Sequence, residues 1–333
     1  MPAKMRVGFV GAGGMARAHA EALSKLRDVS VAAFCDADPV RTGAVAEHYR
    51  APIFKSAREM LERVELDAAY VCLPPFAHGA EFELIERGLP FFVEKPINLD
   101  LAQAREIAAG AEAKHLITCA GYMNRYRRGV LTVRRLLERD PPVLVTGGWI
   151  GGVPRPRPDI GIWTWWVQKR KSGGQFLEQV THTVDLARFL CGDAVEVHAY
   201  GATGFNTGTP DTYDIEDASV VNIKFAGGAI ANLWASCSSN AAGGVSLNVY
   251  ANDVAAQFTG WEHTVRVMRV GKDTVEIKGE GDIFAAEDMA FIKAVRGGNP
   301  AGIMSPYGDA VKTLAVTVAA NRSLKRGKPV AVD

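Results

Sequence analysis

The stretch VGFVGAGGMARAHAEAL, residues 7–23, decides the fold. Val7–Val10 is a short apolar run of strand character, and Ala16, Ala18, Ala20 and Leu23 then line a helix. Between them Gly11, Gly13 and Ala16 stand at the spacing GxGxxA, with Gly14 and Met15 completing the turn. Gly11 permits a tight reversal, Gly13 lets a ligand come close to the backbone, and Ala16 is small enough for the helix to lie against the strand. A helix that starts at such a turn aims unpaired N–H groups at an anion, here a pyrophosphate. The spacing alone is weak, because glycine-rich turns are common. It gains weight from Asp36, which closes the next apolar run 23 residues after Gly13, near the place of a carboxylate that accepts from an adenosine ribose. Such a carboxylate favours NAD, since it repels a 2′-phosphate. Arg41 could offset the repulsion or stack on adenine, so NADP stays possible.

Outward from this motif, the first 120 residues alternate strand and helix patterns. Strands are expected at Arg6–Val10, Val29–Cys35, Ala68–Leu73, Phe91–Glu94 and Ile117–Ala120, with helices near 14–26, 39–49, 56–64, 77–87 and 100–113. Ser56 and Glu59 have capping-box spacing at the third helix. This alternation predicts an α/β fold, a doubly wound parallel Rossmann sheet over residues 1–122. The texture then changes, and residues 123–333 read as an α+β domain. A helix near 124–139 leads into a strand at Val143–Ile150, a Pro-, Arg- and Trp-rich stretch, and one helix over about 175–191. Strands with hairpin signals follow from Ala194 to Lys278. Helices near 285–296 and 308–324 close the chain and could pack on either domain.

Composition excludes several classes. The 333 residues carry 38 Lys+Arg against 37 Asp+Glu, so no polyanion, nucleic acid or anionic membrane is implied. Arg125, Arg127, Arg128, Arg134 and Arg135 are locally basic and read as a solvated helix face. Five scattered cysteines without CxxC spacing read as buried thiols of a reducing compartment. No apolar run reaches a membrane span, and no leader precedes the first strand, which points to the cytoplasm.

Three further segments carry chemistry. The third expected strand, Ala68–Leu73, runs into CLPPFAH, residues 72–78, with Pro74 and His78; the fourth, Phe91–Glu94, runs into EKP, residues 94–96. Ligands of open α/β sheets bind at these strand ends, which marks Glu94 and Lys95. His78 shows no second polar partner nearby in the sequence. In GGQFLEQVTHTVDLAR, residues 173–188, Glu178, His182 and Asp185 share one stripe about 60° wide on an otherwise apolar helix. A helix apolar on most sides is buried, so the stripe should face a cavity or internal partners. A structural Glu–His pair or a metal trio would use the same residues, although one His among carboxylates is a poor metal set. Trp163, Trp165 and Trp166 offer flat faces suited to a pyranose or cyclitol ring, or else plug a domain interface. Tyr122, Asn124 and Arg125 follow the last strand of the first domain and could line the same cleft.

GxGxxA, xPPxxH and EKP in this order, followed by the GG…ExxxHxxD segment, resemble the Gfo/Idh/MocA oxidoreductases over nearly the whole chain. The resemblance implies an NAD(P)-dependent dehydrogenase acting on a CH–OH group of a sugar or cyclitol. It gives Lys95 and His182 contact with the reacting hydroxyl and Glu178 a part in placing the substrate. It also implies a mostly antiparallel open C-terminal sheet that packs against another subunit, hence a homo-oligomer. Glu178 stands where the family usually has Asp, and Val180 where it usually has Gly. A redox-neutral enzyme that retains its cofactor, or a non-catalytic sensor, would share the architecture; Lys95 and His182 together favour catalysis. Imidazole titrates near neutrality, so His182 would take the hydroxyl proton while Lys95 stabilises the alkoxide.

Overall fold

The computed structural model describes residues 4–155 and 164–333, without the side chains of residues 39, 40, 41, 44 and 46. Trp163 and the Arg41 side chain, both candidates above, therefore lie outside the described residues. The chain divides into two compact units, residues 1–123 with 282–311, and residues 124–281 with 312–333.

The first unit runs β1 (Met5–Val10), α1 (Gly14–Ser24), β2 (Val29–Cys35), α2 (Pro39–Tyr49), β3 (Ile53–Phe54), α3 (Ala57–Arg63), β4 (Ala68–Val71), α4 (Glu81–Glu86), β5 (Phe91–Val93), α5 (Leu101–Ala113) and β6 (Thr118–Ala120). Its strands form one parallel sheet in the order β3-β2-β1-β4-β5-β6. The Rossmann expectation holds, and β3 is an addition, too short at two residues to show as a pattern. Ser56 caps α3 by accepting from the Glu59 N–H at 3.2 Å, as the spacing predicts.

Register explains why this sheet is stable. Phe34, Phe9, Tyr70 and Phe92 are lateral neighbours on β2, β1, β4 and β5. Their rings stack in a row with centroids 5.1, 5.2 and 4.8 Å apart. All four are fully buried, and burying each such side chain contributes about 1.5–3 kcal/mol. The row is closed by Phe291, edge-on to both Tyr70 and Phe92, from the later helix over Phe284–Gly297.

The second unit contains α6 (Arg128–Leu137), β7 (Leu144–Ile150), α7 (Lys169–Ser172), α8 (Gln175–Glu178), α9 (Thr181–Cys191) and strands β8 (Ala194–Ala202), β9 (Ala218–Phe225), β10 (Ile230–Ser236), β11 (Gly244–Tyr250), β12 (Val254–Thr259), β13 (Thr264–Arg269) and β14 (Val275–Ile277). After α10 (Phe284–Gly297) and α11 (Tyr307–Arg326), β15 (Val330–Ala331) ends the chain. Nine strands make one sheet, β14-β13-β12-β11-β7-β10-β9-β8-β15, antiparallel except where β7 meets β10. In β9 Val221, Ile223 and Phe225 point inward, while Val220, Asn222 and Lys224 point out. The inner face packs on Val130 and Val133 of α6, Val184 and Leu190 of α9, and Val316 and Ala320 of α11.

One expectation fails here and another holds only in part. The single helix over 175–191 is two, α8 and α9, interrupted at Gln179 and Val180. The Val180 N–H bonds to Gln175 O, five residues back, which widens the turn. The regular stripe over Glu178, His182 and Asp185 therefore does not run unbroken. The arginine segment is a solvated face only in part: Arg128, Arg134 and Arg135 of α6 are exposed, whereas Arg125 and Arg127 before it are buried. Charged side chains read as surface from sequence, and only distant partners reverse that.

Candidate active site

In the first unit the sheet order reverses at β1 and β4, and ligands of such sheets sit outside the carboxyl ends there. The Gly11 N–H bonds to Cys35 O at 2.7 Å, and its φ of +95° is the left-handed region. A Cβ on Gly11 would stand 2.4 Å from Cys72 O, so no other residue fits. Around Gly13 and Gly14 the space where a Cβ would go is open. No side chain caps α1, which leaves the N–H groups that open the helix to an anion. Met15 is exposed on this rim, and Ala16 is fully buried beneath it.

Asp36 follows the last residue of β2 with both oxygens anchored. Oδ2 accepts from the Ala12 N–H and Oδ1 from the Asp38 N–H, each at 2.9 Å. Each oxygen keeps a lone pair, so the half-buried carboxylate can still accept from ribose hydroxyls. The turn, the uncapped helix and this acid together fit a nicotinamide dinucleotide.

At the carboxyl end of β5, the Lys95 N–H donates to Glu94 Oε2 at 2.9 Å. Glu94 Oε1 lies 2.8 Å from His19 Nε2, and His19 Nδ1 lies 2.8 Å from Asp288 Oδ1. Burial by itself would lower the His19 pKa. The carboxylates of Asp288 and Glu94 outweigh it and hold the imidazolium well above its ordinary range. His19, Glu94 and Glu287 bring donor atoms within 4.8 Å of one another, a set that could hold a metal. Both His19 nitrogens are already engaged by carboxylates, however, the arrangement of a charged clamp. His19 was not foreseen. Its signal was a lone polar residue in the buried run Ala16, His19, Ala20, Leu23.

Pro74 precedes a short helical turn after β4, and His78 closes it. His78 does have a polar partner: Nδ1 lies 2.5 Å from Glu81 Oε1, and Glu81 Oε2 accepts from the Gly79 N–H. Burial would raise the Glu81 carboxyl, but His78 and the Gly79 N–H bring it below its ordinary value. The pair ties the loop after β4 to the start of α4.

In the second unit Gly173 and Gly174, at φ +75° and +88°, turn the chain from α7 into α8. A Cβ on Gly174 would meet Lys169 Nζ at 2.6 Å and Glu216 Oε2 at 2.8 Å. Lys169 donates to Glu216 and Asn321, and Asn321 donates to Gly173 O, so the turn is fixed from three sides. Glu178 and His182 follow, both buried. Asp185 accepts a bidentate pair from Arg125 at 2.6 and 2.7 Å and a bond from the Thr313 hydroxyl at 2.9 Å. Arg125, expected beside a substrate, thus serves as the partner of the third acid of the stripe. Asn124 Oδ1 accepts from Arg127 Nε at 2.6 Å. Tyr122, in the first unit, is fully buried. Trp165 is half-buried, and Trp166, 2% exposed, sits in a small core with Val167, Ile215 and Cys237. Stacking a substrate on Trp166 is thereby corrected to plugging a core. A tryptophan that the sequence reading passed over, Trp261, stands 6.0 Å edge-on from the His182 ring.

A parallel sheet with a glycine turn, a ribose acid and a lysine at a strand end defines a dinucleotide-dependent oxidoreductase. Residues 5–122 match the family model described as "Oxidoreductase family, NAD-binding Rossmann fold", and residues 149–257 match "GFO/IDH/MocA C-terminal domain", together more than half the chain. The chain belongs to the GFO/IDH/MocA oxidoreductase family, and its cofactor is NAD. It is 26% identical to a myo-inositol 2-dehydrogenase of Thermotoga maritima, over 99% of both chains. With an inositol 2-dehydrogenase of Rhizobium meliloti it shares 28% identity over 65% of this chain, spanning 64% of that relative's length. The solved WlbA dehydrogenase of Bordetella pertussis, in complex with NADH and UDP-GlcNAcA, superposes with a TM-score of 0.85 at 19% identity, over 100% of this chain and 99% of that one. At that identity the likeness shows the fold alone. Among the described residues no helix is long and apolar enough to cross a membrane.

Proposed function

We propose that the protein is a dehydrogenase of a secondary alcohol on a sugar, cyclitol or sugar derivative, with NAD preferred over NADP. Lys95 carries the reading. It follows the carboxyl end of β5 on the ligand side of the sheet, one residue after a carboxylate fixed at both oxygens. The names of the relatives support the substrate class.

Hydride acceptance is the chemistry that NAD supplies when bound. The protein's residues handle the proton. His182 removes it from the hydroxyl, Lys95 stabilises the developing alkoxide, and Glu178, four residues before His182, helps orient the substrate. Both Glu178 and His182 are withdrawn from bulk water, which strengthens their electrostatic effect on a bound hydroxyl. Incubation of the protein with NAD and, in turn, myo-inositol, scyllo-inositol and UDP-N-acetylglucosamine tests the reading by NADH absorbance. Turnover of at least one is expected; none with either NAD or NADP removes it.

We also propose that the outer face of the nine-stranded sheet, with exposed Tyr200, Val220 and Ile230, joins copies of this chain. A multiple of the 35.8 kDa chain mass by light scattering is expected, and a monomer at micromolar concentration removes this part.

A further inference from the structure

Trp261 is 49% exposed, an unusual place for the largest apolar side chain. It stands in the four-residue connection, residues 260–263, between β12 and β13. A reversal of this kind needs only small or polar residues. This one is built to hold an indole still. Arg127, 1% exposed, donates Nη2 to Trp261 O at 3.2 Å, Nε to Asn124 and Nη1 to Glu280 O at 2.6 Å. His263 Nδ1 donates to the same Trp261 O at 3.0 Å. His263 adopts φ +55°, a left-handed conformation that costs a side-chain residue about 1–2 kcal/mol and persists where its surroundings impose it. Burial, with a smaller push from Arg127, brings the His263 pKa down to about 4, so the ring is neutral and its Nδ1 proton stays available to Trp261 O.

The indole is mounted beside the residues of the proposed reaction. Its ring lies 6.0 Å from that of His182 at 87°, and 6.0 Å from Trp149 of β7 at 57°. Trp149 is partly buried against the core, so Trp261 has a firm backing and an exposed remainder. An exposed aromatic face next to an imidazole suits a ring with C–H groups on one face and hydroxyls at its rim.

We infer that Trp261 is the platform on which a polyhydroxylated six-membered ring stacks while its hydroxyl meets His182. The inference rests on the proposed role of His182. It moves the stacking surface from the tryptophans of residues 163–166 to the β12–β13 turn.

Saturation-transfer NMR with myo-inositol, scyllo-inositol and UDP-N-acetylglucosamine tests it on the wild type, Trp261→Phe and Trp261→Ala. The wild type should transfer saturation to the ring protons of at least one probe, Trp261→Phe should keep a reduced effect, and Trp261→Ala should lose it. For a probe that is turned over, Trp261→Ala should raise KM about tenfold while kcat stays within about twofold. NADH titration should be unchanged, which shows that the variant is folded. Undiminished transfer in Trp261→Ala, or none to any probe in the wild type, overturns the inference. Transfer without NADH formation would keep the platform and remove the dehydrogenase reading. NADH formation with an unchanged KM in Trp261→Ala would do the reverse.

Discussion

His19 Nε2 lies 2.8 Å from Glu94 Oε1, which joins the helix opened by the glycine turn to the strand end that carries Lys95. The opposite nitrogen of the same ring reaches Asp288 on α10. A buried imidazolium between two carboxylates replaces hydration that all three groups have lost. Removing it leaves two uncompensated acids, so His19→Ala should destabilise the protein by about 3–5 kcal/mol in urea unfolding. The folded pKa of His19 is raised, so its contribution is full below the unfolded value of about 6.5 and is lost as pH rises through the folded value. The gap between wild type and variant should therefore narrow at alkaline pH. A gap that widens there would mean that His19 is neutral in the fold.

Glu287 is fully buried, and neither carboxylate oxygen has a hydrogen-bond partner. Burial first, and then the nearby Glu94 charge, push its pKa well above the ordinary range. A folded pKa above the unfolded one means that stability falls as pH rises from about 4.3 towards the raised value. Glu287→Met removes the acid at similar length. It should stabilise the protein by about 1–4 kcal/mol near neutral pH and by little at about pH 4, read from melting temperatures across pH. Equal gains at both ends would show that the acid is ionised throughout.

The order of strands and helices in the first unit was legible because apolar runs of strand length alternate with helical periodicity. β3 and β15 were not, since two residues carry no pattern. The break at Gln179 and Val180 was hidden because Leu177, Val180, Val184 and Ala187 keep helical spacing across it. Glycine turn, Asp36, Lys95 and His182 were readable as chemical types at a spacing. The clamp on Glu94 was not, since His19 and Asp288 are 269 positions apart. Arg127 misled for the same reason, because its acceptor on Glu280 is 153 positions away. Trp261 could have been noticed: a tryptophan in a hairpin turn has no need to be there for the turn.

Asp36 should set cofactor choice. Its oxygens already hold the Ala12 and Asp38 N–H groups, so the carboxylate is aimed before any ligand arrives. Asp36→Ser should weaken NADH binding by about tenfold, the loss of hydrogen bonds to a charged group, and should narrow the preference over NADPH. Fluorescence titration of both nucleotides measures this. A wild type that binds NADPH more tightly would contradict the ribose assignment.

Lys95 and His182 should fail together in kinetics. A positioned proton acceptor contributes about 10²–10⁴-fold, so His182→Ala should lower kcat by about that factor with NADH affinity intact. Lys95→Ala should cost at least as much, because charge stabilisation of the alkoxide goes with it. Trp261 separates this from a loss of substrate binding, since its removal should act on KM and leave kcat nearly unchanged. If both groups serve one hydroxyl, the double variant should be only slightly worse than the worse single one, since once one group is gone the other has less of the transition state to stabilise. Effects that multiply in full would mean that the two residues act on separate steps. Wild-type turnover in both single variants would remove the mechanism and leave an NAD-binding protein whose chemistry lies elsewhere.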